Sequence, residues 1–312
     1  MVDLARLAPS VHNTQPWAWR LHGSVLELRA DRTRWLPVAD PDGRNLHISC
    51  GAALQHAVST ARAMRLDPHV ERLPDHRDPD LLARLDVRPG DLDRAAEQDL
   101  LAMDERCTDR RRFTSWPVPQ DRVERLAATA RLWGTEAFVL SESSQRFRAE
   151  LLLERARLTQ LTDPAYREET RAWVGERATD GVPVAALPRA DGRPGQLPHR
   201  FDDGLAPFGL EALVETSEGL LVLATTYDAP AAWLSVGEGL SALWLQATRE
   251  GLSVVPLSQL TEQESGRRAL DDVLTAPFKA QIMVRVGWQE ISRSTLPRTP
   301  RRPLEDVLTE VR

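Results

Sequence analysis

The sequence predicts an α+β chain built from two related halves. Stretches with the alternation or the short apolar run of a β-strand are interleaved with stretches of helical periodicity. One helix pattern occurs twice: Cys50-Gly51-Ala52-Ala53-Leu54 through Ala61 to Leu66 matches Val236-Gly237-Glu238-Gly239-Leu240 through Ala247 to Leu252. The Gly, Leu, Ala and Leu positions align without gaps inside two strand–helix frames, so duplication is the reading they favour. A duplicated subunit that would otherwise pair about a two-fold axis gives a single-chain pseudo-dimer.

The elements follow in order. Residues 1–30 read as a short helix, a polar turn from Ala8 to Trp17, and an alternating strand, Val25–Ala30. Asp40-Pro41-Asp42-Gly43 is a turn, and an amphipathic helix runs from about Gly51 to Arg65. Residues 74–92 are polar and proline-punctuated, an irregular connection around a short strand near Leu85-Asp86-Val87. A second unit begins near residue 95, placing the halves at 1–94 and 95–312. It opens with helix 95–106 and a basic cluster, then a helix to about Leu132, strand Ala137–Leu140 and a long helix over 143–161. Residues 175–209 carry Gly, Pro and Asp without periodicity, the pattern of a lid. Strand Leu220–Thr226 is apolar enough for the middle of a sheet. Helix 234–250 stops at Gly251, a C′ glycine, and strand Gln281–Gly287 closes the core ahead of a Pro- and Arg-rich tail.

With 312 residues the chain can bury a large core unaided, and its 42% hydrophobic and 28% charged residues are those of a globular protein. Net charge is −6, which argues against a nucleic-acid partner. No apolar run is long enough for a membrane span, and the start MVDLARLAPS lacks the order of a signal peptide. Cys50 and Cys107 are the only cysteines, so a reducing cytoplasm is the expected compartment. Lys279 is the only lysine, so any fixed anion site must use Arg, whose planar fork suits phosphate.

Three segments and the tail carry chemistry. In Ala8-Pro9-Ser10-Val11-His12-Asn13-Thr14-Gln15-Pro16-Trp17 two prolines fix a turn, and Ser10, Asn13 and Gln15 present short polar groups at set spacing. Arg106-Cys107-Thr108-Asp109-Arg110 alternates cations with a hydroxyl, all able to bond phosphate. Pro256-Leu257-Ser258-Gln259 follows Gly251-Leu252, and the tail carries Arg301 and Arg302. His12 reads as a surface histidine, with contact to a substrate as the alternative, and Cys107, beside arginines that lower a thiol's pKa, as a spacer. The seven histidines show no metal-ligand spacing, and no G-x-G-x-x-G follows a strand.

Taken whole, these segments resemble the nitroreductase flavoproteins: A-P-S-x-x-N-x-Q-P-W, R-x-S-x-R with Thr108 for Ser, G-L-x-x-x-P-[IL]-x-G with Gln259 for Gly, and a basic C-terminal stretch. The arrangement resembles the fused, single-site Acg-type branch of that family. The resemblance implies the nitroreductase fold, a mixed sheet flanked by helices, and one FMN. It implies that Pro9, Ser10, Asn13 and Gln15 lie against the flavin and its ribityl arm. It puts Arg106 and Thr108 on the phosphate and Arg110 or, one residue on, Arg111 at the pyrimidine edge. Pro256, Leu257, Ser258 and Gln259 would lie against the flavin, with the main-chain N–H groups after the proline pointing at N5, and Arg302, with Arg301 the weaker match, would close on the phosphate. The turn lies in the first half and the other motifs in the second, so one site can be assembled across the halves. The expected activity is hydride transfer from NADH or NADPH to flavin N5 and on to a nitro or quinone-type acceptor, by a monomer. The alternative is an FMN-storing or sensing protein whose lid, with Arg200, Phe201 and Phe208 as candidate contacts, occludes the flavin.

Overall fold

The computed structural model describes residues 1–110, 113–175, 177–187, 218–274, 277–289 and 298–311. The chain starts with α1 (Val2–Ala5), a 3₁₀ turn at Val11–Asn13, and a hairpin of β1 (Trp17–His22) and β2 (Val25–Ala30). Then come α2 (Arg44–Ala63), β3 (Leu66–Arg72), β4 (Leu81–Pro89), α3 (Arg94–Glu105) and α4 (Gln120–Arg131). β5 (Glu136–Val139), α5 (Ser143–Thr162), α6 (Pro164–Ala172) and β6 (Gly219–Thr225) follow. The last elements are α7 (Pro230–Arg249), β7 (Ser253–Leu257), α8 (Glu264–Leu274), β8 (Lys279–Gly287), α9 (Leu304–Val307) and β9 (Leu308–Glu310).

Two sheets form, β3-β4-β2-β1-β9 and β5-β6-β8-β7. Neighbours are antiparallel except β9, which adds parallel to β1 and makes the first sheet mixed. α2 and α7 pack against each other in the middle of the molecule. On one side Leu54 and Val58 of α2 join Trp17, Trp19, Leu28 and Leu85 of the first sheet. On the other, Val236, Leu240 and Trp244 of α7 join Leu223, Ile282 and Val284 of the second.

Strand order β1-β2-β4-β3 repeats as β5-β6-β8-β7. A bulge falls between Leu28 and Arg29 of β2 opposite β4, and between Leu223 and Ala224 of β6 opposite β8. Beyond α2 the backbone turns left-handed at Arg65 (φ 60°), and beyond α7 at Gly251 (φ 74°), the expected C′ glycine.

Several elements differ from expectation. α2 begins at Arg44 because the Asp40 carboxylate caps it, accepting from the Asn45 and Leu46 N–H groups at 2.9 Å each. The region expected to be irregular holds a nine-residue β4, and β3 precedes it where no strand was expected. β3 is a sheet edge, where Pro68 and charged side chains are tolerated, so it lacks the apolar pattern of an inner strand. β1 is a strand in its own right, with Trp17 and Trp19 alternating inward. α6 was legible and missed: Asp163 caps it by accepting from Ala165 and Tyr166, and Pro164 opens it. β9 is a three-residue strand that only the distant β1 stabilises.

Candidate functional site

The turn after α1 is strained. His12 (φ 48°), Asn13 (φ 55°) and Gln15 (φ 51°) are all left-handed without being glycine. Such residues cost about 1–3 kcal/mol each and persist where surrounding bonds over-determine them. Those bonds are present. Val11 N–H donates to Ser49 Oγ at 3.1 Å and Gln15 N–H to Ser10 Oγ at 3.0 Å. Asn13 Nδ2 donates to the carbonyls of Gly181 and Pro300, both at 2.9 Å. Gln15 Nε2 donates to Thr179 O at 2.9 Å, and Gln15 Oε1 accepts from Arg302 N–H at 2.9 Å. The Arg34 guanidinium closes on Thr14 O and Asp180.

This turn forms one wall of a half-open cleft. Pro9, Ser10, Val11 and His12 line it, with Thr108, Arg110 and the run Val255 to Gln259. α2 adds Asn45, Ile48, Ser49 and Ala52, the i, i+3, i+4, i+7 face of the helix. α7 adds Leu240 and Trp244, and β8 adds Ile282. The structure thus brings Pro9, Ser10, Thr108, Arg110, Pro256, Leu257, Ser258 and Gln259 together around one space. Arg111 lies outside the described residues. His12 is not on the surface: it is 3% exposed and faces the cavity, because the left-handed backbone turns it inward.

The other five candidates do not line this space. Asn13 and Gln15 are buried braces that fasten the turn to residues 179–181 and to the tail. Arg302 is engaged by the carbonyls of Gln15, Trp17 and Asp306 and by Asp31. Arg106 and Arg301 form a different kind of place. Both donate to the Leu7 carbonyl, at 3.0 and 3.1 Å. Arg301 also donates to Asn13 Oδ1 at 3.0 Å, and the Arg106 guanidinium stacks over Trp244 at 4.6 Å. Among the described residues neither meets a carboxylate. Arg106 Nε and Nη1 and Arg301 Nε are buried without a hydrogen-bond partner among the described residues. Burial pushes Arg106 down to about 10. Burial, then the charges of Arg106 and Arg6, push Arg301 down to about 9. His56, which no motif flagged, is pushed down to about 3 by burial and then by Arg106. Two buried guanidinium groups with idle donors fit a dianionic phosphate. Arg301 keeps a buried donor without a partner among the described residues, whereas Arg302 is engaged by carbonyls and Asp31.

Residues 103–288 match the Nitroreductase family. Over 312 aligned residues the chain is 35% identical to "Putative NAD(P)H nitroreductase Rv3131" of Mycobacterium tuberculosis, covering 99% of this chain and 90% of that protein. The chain belongs to the nitroreductase family. It is also 32% identical to "Putative NAD(P)H nitroreductase acg" of the same organism, covering 98% of this chain and 93% of the relative. A solved structure of iodotyrosine deiodinase bound to FMN and 3-iodo-L-tyrosine aligns with a TM-score of 0.44 at 15% identity, over 66% of this chain and 96% of that one.

For a nitroreductase-family chain, the wall residues that sequence reasoning missed are those of α2 and α7. Their signal was present in the repeated helix, whose small residues let two backbones approach. Gln259, where the family pattern has glycine, is 2% exposed. It lines both this cleft and a second one between α5 and α6. Among the described residues no helix is long and apolar enough to cross a membrane.

Proposed function

We propose that this chain is an FMN-dependent oxidoreductase that accepts hydride from NAD(P)H and delivers it to a small electron-poor acceptor of the nitro or quinone type. The observation that carries the reading is the buried Arg106–Arg301 pair, with idle donors and no counter-charge among the described residues, beside a cleft walled by the family's motifs. When bound, FMN supplies the two-electron carrier at N5. Arg106 and Arg301 would hold its phosphate, and the Thr108 hydroxyl would add a bond there. Arg110 is the cation on the cavity wall, suited to balancing negative charge at the pyrimidine edge. The run from Pro256 to Gln259 forms the facing wall, and the apolar side chains of Ile48, Leu240 and Ile282 exclude water from the ring. The braced, strained turn pre-sets its own wall before any ligand arrives.

A second reading, FMN sequestration with little turnover, is favoured by one observation. The start of the expected lid is tied to the turn: Asn13 and Gln15 hold the carbonyls of Gly181 and Thr179, and Arg34 pairs with Asp180. The candidate lid contacts Arg200, Phe201 and Phe208 lie outside the described residues. One anaerobic experiment separates the readings. Excess NADPH, then NADH, is added to the purified yellow protein while the visible flavin band is followed. Fast bleaching supports the oxidoreductase. A band that persists with both nucleotides and bleaches only with dithionite overturns it in favour of sequestration.

A further inference from the structure

The two halves are related by more than strand order. A shift of 186 residues carries α2 (Arg44–Ala63) onto α7 (Pro230–Arg249) end to end, and Leu66 onto Leu252. At the crossing of these helices a Cβ on Gly51 would fall 2.1 Å from Leu234 O, and one on Gly237 would fall 2.0 Å from Ile48 O. The same shift turns 51 into 237 and 48 into 234, so the two contacts exchange with each other. Residue i touches j and j touches i, which is how a two-fold interface is built. A cavity walled by these helices and by the chain leaving β7 therefore has a counterpart position on the other side of the crossing.

The candidate flavin cavity is lined by Ala52 from α2 and Ser258 after β7. Their counterparts under the 186-residue shift are Glu238 and Arg72. Two small side chains that leave space are replaced by two long ones that meet. Arg72 Nε donates to Glu238 Oε2 at 2.8 Å, and Arg72 Nη2 donates to Oε1 at 2.7 Å. Glu238 is 0% exposed. Only the Glu238 end of the pair is buried, and an ion pair with a solvent-exposed arginine adds little stability, so stability alone is a weak reason for one here.

We propose that the Arg72–Glu238 pair plugs a latent second site for a planar heteroaromatic ring of the flavin class, two-fold related to the first, and so limits the chain to one flavin. The proposal rests on the reading of the first cavity as the FMN site. The counterpart side has α4 in place of the strained turn, so a ring without a phosphate, lumiflavin, is the appropriate probe.

The test uses FMN-saturated protein, with lumiflavin titrated by fluorescence quenching. Wild type is expected to hold one equivalent of FMN and to ignore lumiflavin. The variant Arg72→Ser/Glu238→Ala is expected to keep its FMN and bind one equivalent of lumiflavin, about tenfold or more tighter than wild type. Glu238→Ala alone is the second variant. It leaves no buried carboxylate, and Arg72, whose side chain is 37% exposed, can turn to water. It should bind lumiflavin more weakly than the double variant. Folded variants that retain FMN and bind lumiflavin no better than wild type would overturn this proposal alone. Wild type that holds no FMN would overturn the reading of the first cavity.

Discussion

Replacing Arg106 by Ala should separate cofactor affinity from the stability of the cofactor-free chain. On the affinity side, Nε and Nη1 are the buried donors left idle. Charge-assisted bonds contribute about 1.5 kcal/mol each at the low end, so losing two costs about 3 kcal/mol, or roughly 100-fold in Kd. On the stability side, burial holds the guanidinium at about 10, which corresponds to about 3 kcal/mol against the charged form in the fold. Alanine removes that penalty. It also removes the bond to Leu7 O at 3.0 Å and the stacking over Trp244, about 1 kcal/mol each. The cofactor-free variant is therefore expected within about 1 kcal/mol of wild type. FMN titration by fluorescence gives the first quantity and urea unfolding of the cofactor-free protein the second. An unchanged Kd with full flavin stoichiometry would remove Arg106 from the phosphate site. A loss of stability as large as the loss of affinity would show that Arg106 is a structural residue.

Three further outcomes follow from the geometry. Gly237→Ala should destabilise by about 3 kcal/mol or more, since its Cβ would meet backbone on α2 that cannot yield; a melting temperature like wild type's would refute the tight crossing. Burial pushes Asp40 up to about 7 against the N–H bonds of α2. From about pH 4 to about pH 7 the unfolded chain therefore loses a proton that the native chain keeps, and stability falls across that window, by at most about 4 kcal/mol. Asp40→Asn should lack this decline, so an equal cost of the substitution in urea melts at pH 5 and pH 8 would refute the assignment. Burial pushes Asp228 up, but the hydrogen bonds from Arg44 and Trp233 outweigh it and hold the carboxyl at about 2. Its contribution is lost as pH falls from about 4 towards 2. Asp228→Ala should cost about 3 kcal/mol at neutral pH, because Arg44, 2% exposed, is stripped of the carboxylate it pairs with; denaturant midpoints that match wild type would refute that.

Family membership was legible because it resides in contiguous segments. The turn from Ala8 to Trp17, the run from Arg106 to Arg110 and the run from Pro256 to Gln259 each set local backbone shape and chemistry within a few residues, and each survives as a string. The central strands were legible for a related reason: β6 and β8 are buried on both faces and so read as apolar runs. β3 and β9 were not, because an exposed edge and a three-residue strand take their stability from partners far away in sequence.

Which arginine does which task depended wholly on tertiary structure. Arg301 and Arg302 are adjacent in the chain, yet one is spent on carbonyls and Asp31 while the other keeps a buried donor idle beside Arg106. Likewise Ala52 and Glu238 align in two helices of similar sequence pattern, one lining a cleft and the other buried and paired with a half-exposed Arg72. Chain order alone determined which residue types were available and at what spacing. Burial and the identity of the facing group, both set by segments hundreds of residues apart, decided which donors are satisfied, which charges are suppressed and where space remains for a ligand.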